Sequence, residues 1–142
     1  MYVSDEFCEF RARSFYVEGQ KICEVVLLFF KLEKMGWISL SIGEGLAIFS
    51  HGLQDTEYQL SEGVDEEFAY PVRVVGCLLK YVGKKISRIY EYRMEGVDEG
   101  CVGVYFDCER DGFSVLEDDG CLKFSDGICS LGDDVSLVII DR

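Results

Sequence analysis

The sequence predicts an α+β fold: an antiparallel, largely meander-type sheet with one or two helices packed on one face. Three observations carry this expectation. Apolar and polar residues alternate in FCEFRARSFYV (7–17) and again through most of the chain after residue 86, as half-buried strands require. Two stripes with helical spacing interrupt that alternation, one from Gln20 to Met35 and one after Pro71. Asp-Gly recurs at 111–112, 119–120 and 126–127 between short apolar stretches, the pattern of hairpin turns in a meander.

Taken in order, Cys8, Phe10 and Ala12 trade places with Glu9, Arg11 and Arg13 in the first strand. Ile22, Val25, Val26, Phe29 and Leu32 then mark a helical face, with Lys31 and Lys34 in the last turn and Gly36 where a left-handed C-terminal cap belongs. The β-branched and aromatic residues of this stretch keep a strand open as the alternative. WISLSI (37–42) and LAIF (46–49), joined through Gly43 and Gly45, read as a hairpin. The polar, acidic segment from His51 to Glu67 reads as a loop. Val72, Val75, Leu78, Leu79 and Val82 give a second helical face, weakened by Gly76 and closed by Gly83. ISRIYEYRM (86–94) and CVGVYFD (101–107) form a predicted hairpin, followed by strands over FSVL (113–116), CLKF (121–124) and VSLVII (135–140).

A length of 142 residues suits a single domain spanning 1–142, and 49% hydrophobic residues with one proline exclude a disordered chain. The N-terminus has no signal-peptide pattern and the longest apolar run, VVLLFF, is too short to span a bilayer, so a cytoplasmic protein is expected. The seven cysteines are odd in number and include no C-x-x-C pair. They read as free, mostly buried thiols, with neither a metal site nor a cofactor implied.

The segment EGVDE occurs twice, at 62–66 and 95–99. Its two sets of flanking residues differ, so it reads as two acidic turns and not as a structural repeat. Of the net charge of −13, residues 1–94 carry −3 and residues 95–142 carry −10. Asp107, Glu109, Asp111, Glu117, Asp118 and Asp119 are expected to gather at neighbouring turns into one negative patch, with Asp65, Glu66, Glu67, Asp98 and Glu99 as further candidates for contact with a partner. Such a field favours a basic protein and disfavours nucleic acid. No membrane partner is expected.

Catalytic readings find little support. DCERDG (107–112) matches the first half of a calcium loop, but Ser114 and Asp118 replace the hydrophobic residue and the bidentate Glu expected later in it. Acids at exposed turns lack the cleft that a general acid/base pair needs. His51 is the one histidine and has no motif around it, and Gly43-Glu44-Gly45 lacks the third glycine of a dinucleotide loop. Lys80, Lys84, Lys85, Arg88 and Arg93 form a basic run whose use is open, a small anion being one option.

Small size, strong acidity and the lack of a catalytic motif together resemble the immunity proteins of bacterial polymorphic toxin systems. The resemblance implies a protein that is no enzyme and that blocks one basic toxin domain in a one-to-one complex. The 107–119 region would cover the toxin's active site or groove, with Tyr58, Tyr105, Phe106 and Phe113 as candidate anchors. Two alternatives remain: an effector chaperone of the type III secretion kind, disfavoured by a chain ending in VSLVIIDR, and a small-ligand binder or enzyme.

Overall fold

The computed structural model describes residues 1–141. Strand content is 55% and helix content 7%, which overturns the α+β expectation: the fold is essentially all-β. The strands are β1 (Phe7–Val17), β2 (Gln20–Leu32), β3 (Gly36–Gly43), β4 (Leu46–Ser50), β5 (Phe68–Ala69), β6 (Val72–Val74), β7 (Arg88–Met94), β8 (Cys101–Asp107), β9 (Gly112–Asp118), β10 (Cys121–Asp126) and β11 (Val135–Ile140). The described helices are α1 (Asp55–Tyr58) and a 3-10 helix (Gly76–Tyr81). One antiparallel sheet runs β4-β3-β2-β1-β5, with β6 also on β1, and the second runs β10-β9-β8-β7-β11.

The sheets pack face to face around Phe7, Phe10 and Phe30 from one side and Phe106 and Phe113 from the other, all fully buried. Ring centroids lie 5.4 Å apart for Phe30–Phe106 and 5.6 Å for Phe10–Phe113. Each such pair adds about 0.5–1.5 kcal/mol beyond the area it buries.

The predicted helix at 20–35 is strand β2, and burial on both faces explains the misreading. Leu28 and Phe30 face the second sheet, while Phe29, on the opposite face, is also fully buried with the Arg13 guanidinium 5.3 Å from its ring. A strand covered on both sides loses alternation and reads as a continuous apolar run. Gly36 does adopt a positive φ of 77°, but to turn β2 into β3. The second predicted helix divides into β6 and the 3-10 helix, because Val72 exchanges backbone hydrogen bonds with Ser61 and is committed to a ladder. Gly83 closes this helix as expected, at φ 88°.

The loop after β4 covers the outer face of the first sheet. Arg11 and Arg13 donate to the carbonyls of Tyr58 and Glu57, both at 2.7 Å, at the end of α1. The Trp37 indole has the Arg11 guanidinium 4.6 Å from its ring centroid and is stacked with the Tyr58 ring, also at 4.6 Å. The meander holds from β7 to β10 and then breaks. β11 does not continue it but crosses to pair with β7, so residues 127–134 run as a strap over the outer face of the second sheet. Tyr92 anchors the strap: its hydroxyl accepts from the Cys129 N–H at 2.9 Å and sits 2.6 Å from Ser114 Oγ.

The expectation of seven free thiols also fails, since Cys23 on β2 and Cys121 on β10 form a disulfide across 98 residues of sequence. Sequence spacing is uninformative here, because only the packing of two sheets brings these strands together. Cys8, Cys77, Cys101, Cys108 and Cys129 are free.

Candidate functional site

Hairpin geometry decides where the acids go. Successive turns of a meander lie at opposite ends of the strand between them, and seven-residue β9 separates its two turns by about 20 Å. The candidates therefore divide. Asp107, Glu109 and Asp111 occupy the β8–β9 end, whereas Glu117, Asp118 and Asp119 join Asp98 and Glu99 at the β7–β8 end. The single patch expected from 107–119 does not form.

At the β8–β9 end the acids meet cations. Lys84 pairs with Asp111, whose remaining oxygen Oδ1 is buried without a hydrogen-bond partner, and Lys80 pairs with Asp126 at 2.7 Å. Tyr81 also donates to Asp126 at 2.5 Å. The Lys80 and Tyr81 hydrogen bonds hold the Asp126 carboxyl below its ordinary range, while burial and then the bond to Asp126 push the Tyr81 hydroxyl up. These contacts tie the 3-10 helix to β10 and to the β8–β9 turn.

At the other end, Glu95, Asp98, Glu99, Glu117, Asp118 and Asp119 are joined by Asp133 and Asp134, because β11 begins opposite Met94. The Glu95 N–H donates to the Asp134 carbonyl at 2.8 Å, fixing the strap against the β7–β8 turn. The β3–β4 turn of the other sheet docks here too, with the Cys101 N–H donating to the Gly45 carbonyl at 3.0 Å. Lys123 pairs with Asp118 at 2.7 Å, and Arg93 pairs with the buried Glu91 and donates to the Asp98 carbonyl.

Among these acids lies a hollow of about 460 Å³, with Met94, Val102, Leu116, Leu131 and Val135 as apolar lining and Glu117, Asp118, Asp134 and the Asp118-paired Lys123 on its walls. Met94 and Val97 are exposed beside it. An apolar recess walled by carboxylates can take an apolar side chain that arrives with cations around it. Sequence reasoning missed Glu95, Asp133, Asp134 and the hollow. The signal for Glu95 was present in the alternation of turns between sheet ends. No local signal placed the strap.

The remaining candidates lie elsewhere. Asp65, Glu66 and Glu67 are exposed in the loop before β5, on the other sheet. Of the proposed anchors, Tyr105, Phe106 and Phe113 are buried and serve the packing, while half-buried Tyr58 is stacked on Trp37. His51 is exposed at the end of β4. Among the described residues, no three His, Cys, Asp or Glu side chains converge as a metal site would require, and no helix is long and apolar enough to cross a membrane. The chain matches no protein-family model, no curated protein and no solved structure.

Proposed function

We propose that the protein is a binding module for a basic protein, acting by occlusion and not by catalysis, in the manner of an immunity protein that blocks a toxin domain. The observation that carries this reading is the hollow of about 460 Å³ set among Glu117, Asp118 and Asp134, with Asp98 and Glu99 on the adjoining turn. Carboxylates raise the association rate of a cationic partner, and an apolar anchor seated in a recess supplies most of the affinity. The site is thereby moved from the Asp107–Asp111 turn to the β7–β8 end, where Glu95, Asp98, Glu99, Glu117, Asp118, Asp119, Asp133 and Asp134 outnumber Lys123 and Arg93. The proposal does not extend to a cytosolic setting, because the Cys23–Cys121 disulfide disfavours a strongly reducing compartment.

The test is affinity capture from the native lysate with a salt-gradient elution, run with the wild type and two charge-neutralised triples. One triple is Asp98→Asn with Glu99→Gln and Asp118→Asn, and the other is Asp107→Asn with Glu109→Gln and Asp111→Asn. A basic protein held one-to-one by the wild type and by the second triple, but lost by the first, is the expected result. Retention by the first triple and loss by the second would return the site to the β8–β9 turn. Capture unaffected by either triple removes the acidic ends from the interface altogether.

A further inference from the structure

The open edge of the sandwich, where β10 faces β1, β2 and β6, holds a cleft of about 470 Å³ whose chemistry is opposite to that of the acidic end. Its origin lies in the inward residues of β1. Phe10 fills the core, but the inward residues that follow, Ala12 and Ser14, are small and leave the space unfilled. Val25, Val75 and Leu122, all buried, and half-buried Phe124 complete an apolar lining. The volume lies in the range of about 300–1,000 Å³ typical of small-molecule sites.

A cation stands at this lining. Arg73 on β6 pairs in register with Ala12 and lines the cleft, which Lys123 of β10 also borders, although the Lys123 ammonium is held by Asp118 at 2.7 Å. Only one described hydrogen bond engages the Arg73 guanidinium, to the Tyr16 hydroxyl at 3.3 Å, so most of its five N–H donors remain for a ligand. Glu24, the one carboxylate on the cleft, is ion-paired with Lys21. On a molecule of net charge −13 this is a local reversal of sign.

The cleft wall is also held in place. β10 is an edge strand fixed at both ends, through the Cys23–Cys121 disulfide at its start and through the pairing of Asp126 with Lys80 and Tyr81 at its finish. A site whose walls are fixed before binding loses less conformational freedom when occupied.

We infer that this cleft binds a small amphipathic anion, an apolar chain or ring in the lining with its carboxylate, phosphate or sulfonate on Arg73. It is a second site that does not rest on the basic-protein reading, although Lys123 borders both recesses, and its failure would leave that reading intact.

The experiment uses decanoate as the probe and decylammonium as its charge-reversed control, on the oxidised full-length protein. Binding is followed by calorimetry and by amide chemical-shift changes. The expected result is one saturable decanoate site that shifts the amides of Val25, Val75 and Phe124, with decylammonium weaker by about tenfold or more. Arg73→Gln, an exposed position, should weaken decanoate by a similar factor with an unchanged amide spectrum elsewhere, and Arg73→Glu should invert the preference. The proposal is overturned by an absence of saturable decanoate binding, by equal binding of the two probes, or by shifts confined to the acidic hollow. Indifference to Arg73→Gln and Arg73→Glu overturns it as well.

Discussion

Gly45 lies so close to Glu99 that a Cβ on the glycine would fall 1.7 Å from the Glu99 carbonyl oxygen. The β3–β4 turn of one sheet is thus seated on the β7–β8 turn of the other, and the second EGVDE segment is held in place by backbone contact. Gly96, in the same segment, shares the left-handed backbone at φ 76° against 77° for Gly45, but has open space around it. Gly96→Ala therefore bears only the conformational cost, about 1–2 kcal/mol, whereas Gly45→Ala adds a steric clash with backbone and should cost about 3 kcal/mol or more. Urea unfolding of the two variants measures the difference directly. Equal losses would mean that the turn-on-turn contact contributes nothing.

That contact also shows where sequence reading stops. β1 and the β3–β4 hairpin were legible from alternation, and the run from β7 to β10 from short apolar stretches bounded by glycine turns, which mark the strands even where β8 and β9 are buried on both faces. β2 was not legible, because Phe29 on its outer face is as buried as Phe30 on its inner face. β11 was recognisable as a strand but not as the neighbour of β7, since its placement depends on the strap and on Tyr92. The acidic residues were visible and their grouping was not: 107–111 and 117–119 are adjacent in sequence and at opposite ends of β9. Pairings such as Cys23 with Cys121 depend on the packing of two sheets, which no local pattern encodes.

Asp5 gives a second case of a buried residue whose role is purely tertiary. Only 3% exposed, its carboxylate accepts from the backbone N–H groups of Glu6 at 2.9 Å and of Lys34 and Met35, each at 3.0 Å. It fastens the N-terminal segment to the β2–β3 turn. Asp5→Ala strands up to three donors and should cost about 2–4 kcal/mol. Hydrogen exchange at Lys34 and Met35 should rise more than at β8 amides such as Val104, and uniform acceleration across the molecule would show that the clamp is not local.

The cysteines divide by chemistry in a way that labelling can read. Reduction of Cys23–Cys121, or Cys23→Ser with Cys121→Ser, opens a loop of about 98 residues and should cost about 3–5 kcal/mol on the chain-entropy account. Reductant should then have no further effect on the double variant. Among the free thiols, exposed Cys77 should alkylate fastest. Cys101 and Cys108 are buried, and burial pushes their thiols up to about 11 and about 12, so the nucleophilic thiolate is scarce near neutral pH. Mass spectrometry of briefly alkylated native protein checks the order, and early modification of Cys108 would contradict it.

Asp126 supplies the pH dependence. Its folded carboxyl is held below the ordinary value by the Lys80 hydrogen bond first and the Tyr81 hydroxyl second. A carboxyl lowered on folding stabilises the native state above its unfolded pKa, about 3.9, and loses that contribution as pH falls through the lower folded value. The stability difference between wild type and Asp126→Asn should accordingly be flat from about pH 8 to 5 and shrink below about pH 4. Because the Lys80–Asp126 pair is solvent-exposed, high salt should reduce the difference. Tyr81→Phe should remove the part of the difference that depends on the hydroxyl, which stays protonated throughout this range because its own pKa is raised by burial and by Asp126. Thermal unfolding of the three proteins across that range decides the matter, since a wild-type advantage that persists unchanged below the folded pKa would show that Asp126 acts through packing and not through its charge.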